Sequence, residues 1–168
     1  MNSPYATIVD NPDFVSVLYA DKLDRALESG DKDAIIKVLT SISNNQRQMM
    51  RESYRINYGK DIIAELDKKL GEFLSSGDFK KTVLALMDTP LDYDVKQLKA
   101  AMKGLGTDEG VLIEIICSRT PYQLAAIRAA YEREYKTPLE QDNIGLNAYV
   151  SSVSKVFSSA VFPSINQT

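Results

Sequence analysis

Residues 101–109 read Ala101-Met102-Lys103-Gly104-Leu105-Gly106-Thr107-Asp108-Glu109, a glycine-broken corner between two helical patterns. Upstream, Val95, Leu98, Ala101 and Met102 recur at helical spacing. Downstream, Thr107 is placed to cap a new helix, with Asp108 and Glu109 in its positively polarised first turn. Gly104 and Gly106 let the connection turn sharply and leave its carbonyls pointing outward. A row of outward peptide oxygens suits a hard cation such as calcium. The same residues also make a plain helix-to-helix turn with a good cap and no ligand. A nucleotide loop is excluded, because neither the phosphate-loop pattern ending in Gly-Lys-Ser/Thr nor a three-glycine dinucleotide fingerprint is present.

The surrounding chain has 168 residues, 44% hydrophobic and 26% charged, which is the balance of a soluble globular domain or of two small subdomains. Its formal charge is −3, so no bulk positive field draws it to nucleic acid or anionic lipid. Contact with a membrane therefore calls for a bridging divalent cation. Histidine is absent, which removes the usual general base and the commonest zinc ligand. Cys117 is the single cysteine; it stands in an apolar run and reads as a small buried core residue in an intracellular protein. Residues 1–13 lack the features of a signal peptide, and no apolar run is long enough to span a bilayer.

Taken in order, residues 1–13 form an irregular arm containing Pro4 and Pro12. Phe14, Val17, Leu18, Leu23 and Leu27 then predict one helix face, and Ala34, Ile35, Val38, Leu39 and Ile42 a second helix. Ser43 or Asn44 caps a third, marked by Met49, Met50, Tyr54 and Tyr58 and stopped by Gly59. Ile62, Ile63, Leu66 and Leu70 predict a fourth, Ser75-Ser76-Gly77 a loop, and Phe79, Val83, Leu84 and Met87 a fifth. The cycle then restarts: a helix over 92–102, a second over 107–118 that is apolar nearly all round and is therefore expected to be buried, and a third capped by Thr120 with Pro121 in its first turn. A short segment over 138–144 and a last helix near 147–161 follow.

Superposing the halves exposes an internal repeat. At a shift of 77, Asp31, Gln46, Arg51, Tyr54 and Tyr58 fall on Asp108, Gln123, Arg128, Tyr131 and Tyr135. Leu23 to Leu27 matches Leu98 to Met102 at 75, so the first corner is two residues shorter. Phe79 matches Tyr149 at 70, which leaves an insertion around Gly71 to Gly77 in the first half. The chain is a duplicated all-helical unit.

These residues resemble annexin repeats. In the second half the resemblance runs through LKAAMKGLGTDE, VLIEIICSRTPYQLAAIRAAYEREY and LEQD; in the first, more loosely, through SNNQRQMMRESYRINYGKDIIAELDKKL and KKTVLALM. It implies two five-helix repeats, each a four-helix bundle with a crossing third helix, over residues 14–90 and 91–163, with 1–13 an arm and 164–168 a tail. It further implies calcium-dependent binding to acidic phospholipid surfaces. Carried over, calcium would take the carbonyls of Met102, Gly104 and Gly106, with a lesser site at the Thr107 carbonyl and the Glu109 side chain. Lys103 and Leu105 would meet lipid phosphate and acyl boundary. Their plain alternatives are a solvated lysine, a lone exposed leucine and a carboxylate facing a helix dipole.

The departures from the family pattern shape the expectation. The carboxylate that should close the principal site falls between Ile144 and Ala148, which reads Ile-Gly-Leu-Asn-Ala, with Leu146 at the position itself. Glu140 and Asp142 lie a few residues early. Neutral carbonyls and water predict weak binding, roughly at the millimolar end of protein calcium sites. In the first half, Leu27-Glu28-Ser29-Gly30-Asp31 stands in place of the glycine corner, with Lys69 near the closing position, so no principal site is expected there. The family usually carries four repeats, and an unpaired apolar face predicts a homodimer.

Two function classes follow: a weak calcium-dependent membrane-surface module, or an annexin-fold scaffold with a cytoskeletal partner and lost calcium control. An enzyme is disfavoured, since nucleophile-base pairs are missing and Asp108/Glu109 and Glu132/Glu134 are neighbouring helix acids. No basic clustering with interleaved aromatics suggests a nucleic-acid groove.

Overall fold

The computed structural model describes residues 8–73, 77–103 and 107–141. Those residues form eight α-helices: α1 (Ser16–Ser29), α2 (Lys32–Thr40), α3 (Asn44–Tyr58), α4 (Ile62–Phe73), α5 (Gly77–Met87), α6 (Pro90–Ala101), α7 (Glu109–Ser118) and α8 (Pro121–Tyr135). The chain divides into a unit ending at Thr89 and one starting at Pro90, each with its own apolar cluster.

In the first unit α1 packs on α2, α3 and α4, and α3 also meets α4 and α5. Leu23, Leu27, Ile35, Leu39, Ile42, Met50, Tyr54, Ile62, Leu66 and Met87 are fully buried between them. Each such side chain contributes about 1.5–3 kcal/mol relative to its exposed state. The buried stripe of α1 is Ala20, Leu23, Ala26 and Leu27. Val17 and Leu18, expected on that stripe, point to solvent, with Leu18 55% exposed; the helix begins at Ser16 and its 3.6-residue period carries them off the core side. Phe14 precedes the helix and packs on the core with Tyr19. Met49 is likewise exposed while Met50 is buried.

Polar closures fix the ends of the helices. Ser43 caps α3 in a capping box with Gln46, whose amide also exchanges two hydrogen bonds with the Asn11 backbone. The expected cap was Ser43 or Asn44, and Asn44 turns elsewhere. Asn44, Arg47 and Gln48 donate to the carbonyls of Asp88, Leu86 and Met87. Those carbonyls end α5 and have no partner within their own helix, so α3 supplies the donors. The buried Arg47 guanidinium also donates to the carbonyls of Leu39 and Ile42 at 2.8 Å, and burial holds its pKa below the usual arginine value. Gly59 stops α3 in the left-handed region at φ 67°, as Gly30 stops α1. In the insertion of the first half, Gly71 lies inside α4 and Gly77 opens α5, so Gly77 is not part of a loop, while Ser75 and Ser76 of the expected loop lie outside the described residues.

The second unit repeats these devices. Thr120 and Gln123 form the same capping box on α8, with Pro121 at its start. Asp108, not Thr107, caps α7: its Oδ1 accepts the Val111 N–H at 3.2 Å. A carboxylate at that position reaches the third amide of the helix. In α7 only Leu112 and Ile115 are buried. Ile113 is 48% exposed and Cys117 is exposed, against the expectation of a fully buried helix and a core cysteine. Leu112 and Ile115 share the side turned to the second cluster, and Ile113 and Cys117 share another. The end of the segment expected over 138–144 and the helix expected near 147–161 fall outside the described residues.

Both units carry a tyrosine pair one helical turn apart. Tyr54 and Tyr58 stack with ring centroids 4.5 Å apart, and their hydroxyls donate to Asp24 and Asp21 at 2.7 Å. The bond to Asp21, assisted by desolvation, pushes the Tyr58 pKa up to about 12. Tyr131 and Tyr135 meet edge to face, and Lys99, the counterpart of Asp24, lies over both rings.

Candidate functional site

The corner after α6 is built on a backbone clasp. Met102 and Lys103 wind the helix down through N–H bonds to the carbonyls of Leu98 and Ala100, each 3.2 Å. The Asp108 N–H then returns to the Ala101 carbonyl at 2.9 Å and shuts the base of the loop. Met102 is half-buried against the second cluster, Lys103 is exposed, Thr107 is half-buried and Glu109 is exposed at the first position of α7. Gly104, Leu105 and Gly106 lie outside the described residues. The structure therefore brings Met102, Lys103, Thr107 and Glu109 to one corner.

The first unit has the same clasp with less chain in it. The Asp31 N–H donates to the Ala26 carbonyl at 3.0 Å, and Asp31 Oδ1 accepts the Ala34 N–H at 2.9 Å as the cap of α2. Four residues separate Ala26 from Asp31, whereas six separate Ala101 from Asp108. Within the shorter loop the Gly30 N–H takes the Leu27 carbonyl. The short corner thus engages the Ala26 and Leu27 carbonyls in closing the helix, and the longer one has two additional peptide units beyond a matching base.

Charge differs between the corners as well. Lys69 on α4 stands 3.0 Å from the Glu28 carboxylate at the end of α1. That bond raises the Lys69 pKa despite desolvation. An ammonium already occupies the cationic role in the first corner, which disfavours a second cation beside it. In the second unit, Glu140 Oε1 lies 2.6 Å from Arg128 Nε. The matching Arg51 holds Asp61 just ahead of α4 at 2.8 Å, so both units tie the chain leaving the third helix to an arginine of that helix. Glu140 is thereby paired in charge with Arg128, although its buried Oε1 lies outside hydrogen-bond geometry. Asp142 and Leu146 lie outside the described residues. Among the described residues no group of three or more acidic, cysteine or histidine side chains could hold a metal ion. The donors that fit calcium here are peptide oxygens and the Glu109 carboxylate, which match its preference for hard oxygen in kind.

Sequence reasoning missed the anchor behind this corner. Asp94 on α6 is 3% exposed, and Arg119, just after α7, grips it with Nε–Oδ2 at 2.6 Å and Nη2–Oδ1 at 2.8 Å. This forked bond raises the Arg119 pKa over the opposing effect of desolvation. It fixes the far end of α7 against the start of α6.

The annexin family model matches residues 19–86 and 93–142, one segment in each unit. The chain belongs to the annexin family. It is 46% identical to annexin A13 of Canis lupus familiaris over 125 residues, which is 73% of this chain and 38% of that protein. A solved annexin III superposes with a TM-score of 0.75 at 38% identity, covering 81% of this chain and 41% of that one. A calcium-bound annexin (Sm)1 gives a TM-score of 0.70 at 29% identity over 80% of this chain and 40% of that one. The chain spans about two fifths of the length of the annexins it matches.

Proposed function

We propose that this annexin chain is a calcium-dependent phospholipid-surface binding module that works through the corner between α6 and α7. The observation that carries the reading is the Asp108-to-Ala101 clasp with two more residues above it than its counterpart in the first unit. Calcium takes the carbonyls of Met102, Gly104 and Gly106, and a lesser position uses the Thr107 carbonyl and Glu109. Lys103 faces lipid phosphate and Leu105 the acyl boundary. Binding is weak, because Leu146 holds the closing position and Glu140 is engaged by Arg128. Acidic phospholipid headgroups supply the missing oxygens, so affinity for the ion rises with lipid present. Membership in the family and a relative solved with calcium support this reading. No helix among the described residues is long and apolar enough to cross a membrane.

Pelleting with phosphatidylserine vesicles, with and without calcium, tests it. Wild type should pellet only with calcium, and Gly104→Glu should not pellet, because a side chain there blocks the carbonyl geometry. Pelleting of both proteins alike in calcium removes the proposal. The Lys69–Glu28 pair favours a second reading for the first unit alone, as a scaffold surface free of calcium control. A homodimer and a cytoskeletal protein are the partners that go with it; sedimentation showing only monomer removes the dimer.

A further inference from the structure

Between α1 and α2 runs a trough of about 510 Å³, within the size range of small-molecule sites. Ala26, Ala34 and Val38 line it, and Lys22, Arg25 and Lys37 supply its charges. Gly30 and Asp31 turn the chain at one end. At the other, the Asn11 amide donates to Tyr19 Oη at 2.9 Å and to the Ser41 carbonyl at 3.4 Å, tying the two helices together.

On α1, Arg25 lines the trough and also acts on Tyr58 of α3, one helical turn beyond Asp21. Asp21 and Asp24 are turned to α3, where they accept the hydroxyls of Tyr58 and Tyr54. Lys22 and Arg25 line the trough facing α2, with Lys22 Nζ 4.6 Å from the Tyr19 ring centroid. Lys37 comes from the opposite wall. Asp31 is the one acid in the lining, and its Oδ1 is held by the Ala34 N–H. A chain of net charge −3 therefore presents three cations around an apolar floor. In the sequence this is no cluster, because Lys37 lies twelve residues from Arg25. Antiparallel packing of the two helices creates it.

The geometry points to a second, calcium-independent lipid contact: the α1–α2 trough takes the phosphomonoester head of an anionic membrane lipid. Arg25 offers a fork matched to phosphate oxygens, and Lys22 and Lys37 add point charges that complement a dianion. The glycerol and first acyl carbons lie over Ala26, Ala34 and Val38. This rests on the reading of the chain as a membrane-surface protein and assigns the first unit, whose corner holds Lys69 in place of an ion, its own contact with membranes that carry a phosphomonoester lipid, which phosphatidylserine vesicles lack.

Calorimetric titration of the full chain with monomeric dihexanoyl phosphatidic acid in EDTA tests it. One site per chain is expected, with no heat from dihexanoyl phosphatidylcholine. Arg25→Ala/Lys37→Ala should weaken binding about a hundredfold, tenfold for each lost charge-assisted contact, with an unchanged circular dichroism spectrum. Lys37→Glu alone gives a second variant with the same expected loss. Absence of binding in EDTA, equal binding by the variants, or inorganic phosphate binding as tightly as the lipid overturns the assignment. So does a wild-type dimer that the double variant dissociates, since the trough then belongs to a second copy. Gly104→Glu should leave this titration unchanged while abolishing calcium-dependent pelleting, so the two readings fail separately.

Discussion

Asp94 and Arg119 hold the second unit at a point where neither residue advertises itself. A buried carboxylate is tolerated only with a partner that supplies charge and directed donors, and the Arg119 fork supplies both. Asp94→Ala leaves the guanidinium unmatched and should lower stability by about 1.5–3 kcal/mol, the range for hydrogen bonds to a charged group. Asp94→Asn, which keeps an acceptor and the shape, should lose less. Urea unfolding of both variants checks this, and equal midpoints for Asp94→Ala and wild type would show the pair to be inert. In the sequence Asp94 stands beside Asp92 near a helix start with nothing to set it apart. Its burial depends on Arg119, twenty-five residues away and beyond the intervening corner, so no local pattern could announce it. Arg47 is a similar case: an arginine in a polar-looking helix turn becomes buried because three carbonyls from two other segments converge on it.

At the scale of the element, the corners separate capping from ion binding. The sequence offered Thr107, Asp108 and Glu109 as neighbours at the start of α7, and the cap is Asp108. The internal repeat held the signal, since Asp31 caps α2 with the same geometry at a shift of 77. Asp108→Ala should cost about 1 kcal/mol, the usual cost of losing a helix cap, whereas Thr107→Ala should be close to neutral. Thermal or urea unfolding of the pair of variants distinguishes them, and a larger loss for Thr107→Ala would reverse the assignment. Glu109 takes no part in that cap. The breadth of α7 was misread for a related reason: an apolar stretch shows that a helix has partners on offer, and only packing decides which side takes one. Leu112 and Ile115 are taken, Ile113 and Cys117 are not, among the described residues.

For the whole molecule, the boundary at Thr89 and Pro90 divides two clusters that share no residue. The first draws every member from between Ala20 and Met87, and α3 within that unit is closed by the Ser43 capping box at its start and by Gly59 at its end. A fragment of residues 1–89 should therefore fold alone, with a helical circular dichroism spectrum and a cooperative urea transition, although a core of this size leaves a small margin. A fragment that stays unfolded at low temperature would show that the first unit depends on the second. The asymmetry between units also sets the division of labour proposed above: a long corner for an ion in one, a basic trough and a fixed ammonium in the other.

The sequence alone determined the duplicated helical architecture, the family and the position of the long corner, because these rest on local periodicity, turn chemistry and a repeat written in one dimension. Only the tertiary structure decided which face of each helix is buried, which carboxylate caps and which pairs, and where Lys22, Arg25 and Lys37 converge. Those outcomes depend on residues that are distant along the chain and become neighbours when helices pack, and the free energy of a buried charge is set by such neighbours.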